Sequence, residues 1–282
     1  MAGLYHYTTG AGLLGMLKDY SVDNPNLTMR ATHYMYMNDP KEYIYGQEIC
    51  LDIIDEIEEG LGINEDDRIK KIVTSADYQK AFRDVSRRIR GHIPYLISLS
   101  YAKDSLHMWS MYANGNGIAI RFNEEKLSNI TNLKECIYYK NSDELVYNRI
   151  KQDIRRLYEE LNSDEEKGEI RIQQAVDIST IICYVIGTRI KHNAYNIEQE
   201  VRITPRINNQ VPIKEQERFR DKDGLIIPFI EFKIPFDIVE SIMVGPTADF
   251  NRVKESILLL LSNKEILWDE DRIIKSKVPY RL

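Results

Sequence analysis

The 282-residue sequence is poor in cysteine: Cys50, Cys136 and Cys183 lie far apart and in no CxxC spacing. So scattered and odd a set gives neither a disulfide framework nor a zinc-ligand pattern, and it makes a reducing cytoplasm the expected location. Long apolar runs are missing too. The longest, Ile257 to Leu261, is far short of a membrane span, and no basic segment followed by an apolar one opens the chain. A soluble, unprocessed protein with no membrane partner is expected. Positive charge is not in excess: a net charge of −6 and a pI near 5.5 argue against broad attraction to nucleic acid, while leaving room for a local basic patch. Without H-E-x-x-H, Walker A, G-x-S-x-G or G-x-G-x-x-G, zinc proteases, P-loop enzymes, α/β-hydrolases and Rossmann dehydrogenases have no support. No internal repeat and no long Gly/Pro/Ser linker divides the chain.

What is present is an ordinary globular composition, 43% apolar and 29% charged, long enough for one large domain or two small ones. Leu4-Tyr5-His6-Tyr7-Thr8 alternates with the period of a strand, and Leu13, Leu14, Met16 and Leu17 give the inner side of a helix capped by Thr8 or Thr9. Leu27 to Met37 reads as extended. The Asn38-Asp39-Pro40 turn then opens a helix from about Lys41 to Glu59, which Gly60-Leu61-Gly62 stops. Further strands are expected at Tyr95 to Ser100, Ile118 to Phe122, Leu133 to Tyr139, Glu200 to Thr204, Leu225 to Lys233, Ile238 to Val244 and Ile273 to Tyr280. Helices are expected at Asp104 to Tyr112, through much of Ser142 to Ile190, and at Asp249 to Leu261. The pattern predicts one α+β domain over residues 1–282. Mainly antiparallel strands from both ends of the chain form its core, and helical insertions fall at about 45–93 and 142–190. The alternative is a sheet domain with a helical subdomain at those positions.

Four groups could carry chemistry. His6 is either a satisfied structural histidine or a ligand contact. Tyr34 and Tyr36 share one face if the strand continues through them, so either could present a ring to a flat ligand or pack inward, while Asp39 caps the following helix. Trp109 and Tyr112 precede the Asn114-Gly115-Asn116-Gly117 turn, where they either bury against the sheet or line a pocket. Glu198, Glu200 and Arg202 project together if the strand has begun by Glu198. Two carboxylates so close repel unless an arginine or a ligand hydroxyl intervenes, and one could then carry a raised pKa suited to proton transfer. Otherwise Arg202 simply neutralises the pair on a solvated edge.

Taken together these blocks resemble a large bacterial and phage family known as a domain of unknown function. Its pattern is Leu-Tyr-His-Tyr-Thr (Leu4 to Thr8), Asn-Asp-Pro (Asn38 to Pro40), Trp-x-x-Tyr (Trp109 to Tyr112) and Glu-x-Glu-x-Arg (Glu198 to Arg202). It closes on Val244-Gly245-Pro246 and Lys275 to Arg281. Tyr195 stands where a tryptophan is expected. More distantly the pattern resembles the ADP-ribosyltransferase superfamily, and that resemblance implies an ADP-ribosyltransferase-like fold that takes NAD as its substrate without a metal. On it, His6, Tyr7 and Thr8 would meet the ribose or the nicotinamide end, Tyr34 or Tyr36 would stack on the nicotinamide, and Asn38, Trp109 and Tyr112 would complete the pocket. Glu200, or Glu198, would hold the ribose 2′-hydroxyl and stabilise the oxocarbenium-like transition state. The acceptor would be a protein or nucleic acid, in a toxin or antiphage setting, and a homo-oligomer is compatible with it. Two alternatives stay open: a catalytically inactive nucleotide sensor, and a metal-dependent hydrolase or nuclease using Glu198 and Glu200.

Overall fold

A computed structural model describes residues 3–37, 40–75, 94–162, 172–205, 210–211, 213–222 and 224–279. In chain order the first elements are β1 (Gly3–Thr8), α1 (Gly10–Met16), β2 (Asn26–His33), α2 (Pro40–Gly60), α3 (Ile69–Thr74), β3 (Tyr95–Ser100), α4 (Leu106–Tyr112) and β4 (Ile118–Asn123). Then follow α5 (Glu124–Ser128), β5 (Leu133–Glu135), β6 (Ile137–Tyr139), α6 (Glu144–Leu161), α7 (Ile172–Val185), β7 (Ile190–His192) and β8 (Glu200–Ile203). The last are α8 (Ile213–Gln216), β9 (Glu217–Lys222), β10 (Leu225–Pro235), β11 (Val239–Val244), α9 (Phe250–Asn263) and β12 (Ile273–Lys275).

The fold is mixed α+β with a mainly antiparallel sheet in the order β12-β11-β4-β1-β3-β2-β10-β9, with β8 and β5 branching from β3. Among the described residues only β11–β12 and the separate β6–β7 pair run parallel. β3 is the junction. β1 meets it only at Tyr5↔Ser100, and β2 only at Thr32↔Leu96 and His33↔Tyr95, so two half-sheets are joined through opposite ends of one strand. Between those ends the Ser98 carbonyl is taken by a side chain, His6 Nδ1 at 3.2 Å.

Two main cores follow from the periodicity. Leu4 of β1, Leu13, Met16 and Leu17, Ile97 and Leu99 of β3, Val201 and Ile203 of β8, and Ile257 and Leu261 of α9 close the sheet core. The long helix α2 buries Ile49, Ile53, Ile54 and Ile57 against Ile150 and Ile154 of α6 and Ile178 and Ile182 of α7, building a separate helical layer. The described parts of the two insertions thus come together, although about a hundred residues separate them in sequence; residues 76–93 and 163–171, where further helix and a solvated loop are expected, lie outside the described residues. A smaller cluster packs Tyr5 and Tyr7 on Met108 and Trp109 of α4.

Some boundaries differ from expectation. β2 ends at His33, and residues 34–36 turn into a single 3-10 turn, because Tyr34 goes inward while its carbonyl accepts from Met37 N. The closing strand is shorter than expected, ending at Lys275. β9, which no hydrophobic alternation announces, adds an outer strand beside β10. No helix among the described residues is long and apolar enough to cross a membrane.

Candidate functional site

A cleft of about 470 Å³ opens where the half-sheets diverge, walled by β1, the inner face of α1, β2, the middle of β3 and the tip of the β9–β10 hairpin. Its volume suits a small-molecule ligand, for which roughly 300–1,000 Å³ is typical. Glycines let α1 come close: a side chain on Gly12 would collide with the Thr8 hydroxyl.

His6, Tyr7, Thr8, Tyr36, Tyr112, Glu198 and Glu200 all line this one cleft. Tyr34 and Trp109 do not. Tyr34 is buried with the Arg202 guanidinium 5.7 Å from its ring centre, because the turn at 34–36 breaks the strand alternation that would have put it beside Tyr36. Trp109 is fully buried edge-on to Tyr7 at 4.9 Å, and its Nε1 donates to Asp104 Oδ1 at 2.8 Å. Its role is packing. Tyr7 lines the cleft, but its ring packs on Trp109 and its hydroxyl donates to the Ala102 carbonyl, 2.6 Å away. Asn38 lies outside the described residues.

The glutamate segment is also not one strand. Glu198 ends a 3-10 turn and Gln199 has φ +46°, so β8 begins only at Glu200. That left-handed residue resets the alternation, and both carboxylates still converge, but on a group unread in the sequence: Lys191 Nζ is 2.6 Å from Glu198 Oε2 and 2.6 Å from Glu200 Oε2. The ammonium sits between the two acids, where a metal-dependent reading would place a cation. Arg202 Nε adds 2.8 Å to Glu200 Oε1, and its remaining nitrogens donate to the Thr188 carbonyl and to Glu42 of α2. Glu42, Lys191, Glu198, Glu200 and Arg202 are all buried. This is a buried network of three carboxyl groups and two basic side chains, rather than a pair on a solvated edge.

Electrostatics follow from the pairing. Burial alone would raise the Glu200 value, yet Arg202 and Lys191 outweigh it and hold the carboxylate ionised well below the ordinary range. Burial likewise opposes the charge on Lys191, and Glu200 and Glu42 overcome it. Glu42, by contrast, is raised by its burial despite Arg202 and Lys191. Glu198 accepts from the Tyr112 hydroxyl at 2.7 Å, and burial together with that carboxylate pushes the phenol up, so Tyr112 remains a donor. His107 Nε2 is 3.6 Å from Glu198 Oε1. Tyr195 supplies an aromatic face 5.1 Å from Lys191 Nζ, a role that any aromatic at this position can fill.

His6 is half-buried, and burial lowers its pKa, with Arg220 contributing in the same direction. A neutral imidazole that donates through Nδ1 to the Ser98 carbonyl carries its lone pair on Nε2. The opposite end of the cleft is basic: Arg30 of β2 with Arg220 and Lys222 of β9. Their signal in the sequence was the alternation of Arg218, Arg220 and Lys222, which places three basic side chains on one face of a strand. Lys191 and Glu42 gave no comparable signal.

Residues 108–203 match the family described as "Protein of unknown function (DUF2971)". The DUF2971 segment is about a third of the chain and runs from α4 to the end of β8, so it holds Tyr112, Lys191, Glu198, Glu200 and Arg202 but neither His6 nor the basic end. No curated protein and no solved structure matches the chain.

Proposed function

We propose that the cleft binds NAD and that the chain is an ADP-ribosyltransferase-like enzyme, splitting the nicotinamide–ribose bond and passing the ADP-ribosyl group to a protein or nucleic acid. The observation that carries this reading is the convergence of His6, Tyr36, Tyr112, Glu198 and Glu200 on one cleft of small-molecule size.

The reaction needs three things. The sugar must be held, the departing ring must be accommodated, and positive charge developing at the anomeric carbon must be met by a fixed anion. Neutral His6 offers an acceptor to a ribose hydroxyl and stays uncharged at neutral pH because burial lowers its value. The Tyr36 and Tyr112 rings offer flat apolar faces for the nicotinamide. The buried Glu198 and Glu200 carboxyl groups face the sugar, where a preorganised carboxylate stabilises an oxocarbenium-like state more than it could in water. Of the two acids, Glu198 suits the direct role and Glu200 a positioning one. Both Glu200 oxygens are held by Lys191 and Arg202, whereas Glu198 carries no arginine and is oriented by Tyr112. As nicotinamide leaves with the bonding electron pair, the acceptor nucleophile forms the new bond to the anomeric carbon and gives up its proton.

Purified protein incubated with NAD should release nicotinamide, and Glu198→Gln should slow the release by about 10²-fold or more, with circular dichroism checking that the variant, which loses a buried partner of Lys191, is still folded. Silence in the wild type, with and without cell lysate as a source of acceptor, would remove the enzyme reading. One observation favours a second reading, a nucleotide sensor without turnover: every carboxylate in the cluster already has a cationic partner. Saturable NAD binding without nicotinamide release would select it.

A further inference from the structure

Arg30 and Arg220 flank a single ring. Their guanidinium carbons lie 5.1 Å and 6.0 Å from the centre of Phe229, and the ladder pairing puts Arg30, Thr32, Phe229 and Arg220 on one face. Two like charges are thus held close together at one end of the cleft, and neither forms an ion pair among the described residues. Candidate acids are nearby but engaged elsewhere or not engaged: Glu231, across the ladder from Arg30, pairs with Lys18 at 2.6 Å, and Asp221 forms no salt bridge to either arginine. Among the described residues Arg220 donates one bond, to the Thr32 hydroxyl at 2.9 Å, while its Nε is buried with no partner there. Burial and the charge of Arg30 both work against the Arg220 cation, lowering its pKa.

The buried Nε of half-buried Arg220, an unused donor beside the exposed guanidinium of Arg30, is costly unless an acceptor completes it, and two adjacent cations favour an anion in that place. The aromatic ring between them adds a cation–π surface that fixes both side chains without neutralising either. Arginine pairs of this kind match the geometry of phosphate oxygens, which accept several parallel N–H bonds. The glutamate cluster at the other end carries the opposite charge.

We infer that Arg30, Arg220 and the Phe229 ring between them form a diphosphate subsite, so that the cleft takes a nucleotide whose two phosphates lie at this end and whose sugar lies at the glutamate end. The inference rests on the proposed reading of the cleft as a nucleotide site and adds the group that sets the ligand's direction and class. A nucleoside without phosphates would lack the contact, and a long nucleic acid would have to reach into a recess of about 470 Å³.

The test uses the full chain and four probes in binding titrations: inorganic pyrophosphate, ADP-ribose, nicotinamide riboside and a short single-stranded DNA. The wild type should bind pyrophosphate and ADP-ribose with an affinity that falls as salt rises. Arg220→Gln should weaken both by about tenfold or more, and Arg30→Gln with Arg220→Gln further, consistent with loss of charge-assisted bonds. Nicotinamide riboside, if it binds, should be unmoved by either change. Arg-dependent pyrophosphate binding without any nicotinamide release supports the subsite and removes the transferase reading instead. NAD turnover with a KM unchanged in the double variant overturns the subsite and leaves the enzyme standing. No pyrophosphate binding together with Arg-dependent DNA binding also overturns it. Unaltered circular dichroism in both variants separates lost binding from lost folding.

Discussion

The two ends of the cleft handle charge in opposite ways. At the glutamate end five acidic and basic side chains are buried, and each has partners: Lys191 bridges Glu198 and Glu200, and Arg202 bridges Glu200 and Glu42. At the arginine end two cations share an aromatic ring and lack an anion among the described residues. A charge whose desolvation is offset by neighbours is part of the scaffold, and it keeps its geometry whether or not a ligand is present. A charge left without an opposite is disposed to take one from solution. The difference separates what holds the site from what it receives.

Removing one partner at the paired end should have the largest effect. Arg202→Met leaves Glu42 and Glu200 buried without their shared cation, and chemical denaturation should show a loss of about 3–5 kcal/mol, the usual cost of breaking a buried pair. A loss below about 1 kcal/mol would mean that the network is solvated and that the two ends do not differ in kind. At the other end, Arg30→Gln with Arg220→Gln should leave stability within about 1 kcal/mol of the wild type, because no ion pair is lost and only the Arg220–Thr32 bond and the contacts with Phe229 go. A marked loss there would identify the arginines as scaffold.

The smallest effect sharpens the comparison at His6, which lies between the ends. Its folded pKa is lowered by burial, against the opposing effect of the Ser98 carbonyl bond, and Arg220 adds a smaller lowering. The folded state therefore binds fewer protons than the unfolded one, so His6 costs no stability above its unfolded value, near 6.5, and stability is lost as pH falls below it. His6→Asn, which keeps a donor for the Ser98 carbonyl, should flatten the stability profile between about pH 7 and pH 5. Arg220→Gln should shift the His6 titration upward in NMR. A His6 that titrates at its ordinary value in both proteins would show that the unpaired cation is not felt there.

Much of the fold is legible because period and punctuation speak locally. The alternation at Leu4 to Thr8, the helical isoleucines of α2 closed at Gly62 with φ +77°, and the strands around Tyr95 to Ser100 and Ile118 to Phe122 need only neighbours in sequence. The shared position of His6, Tyr112, Glu198 and Glu200 was legible through a resemblance alone. The rest depends on long-range pairing. Nothing local says that β3 joins two half-sheets, and nothing near Glu42 says that its carboxylate meets an arginine 160 residues away. Strand alternation puts Tyr34 and Tyr36 on one face, and only the tight turn at 34–36, which no local signal marks, separates them. Trp109 was ambiguous in principle, since burial and pocket lining demand the same residue type. Arg218, Arg220 and Lys222 were readable by alternation, but in an acidic chain a short basic strand draws little notice.

The manner in which Arg202 is satisfied bears on how far the protein can be divided. Its three partner groups come from three places: Glu200 on its own strand, the Thr188 carbonyl just after α7, and Glu42 in the first turn of α2. The helical layer has its own apolar core and so resembles a removable module. Excising it to obtain a minimal sheet would withdraw two of the three acceptors, and Lys191 with them, from behind the glutamate end of the cleft. The boundary that hydrophobic packing draws between the two cores is crossed by the polar wiring, and a cut that respects the first severs the second.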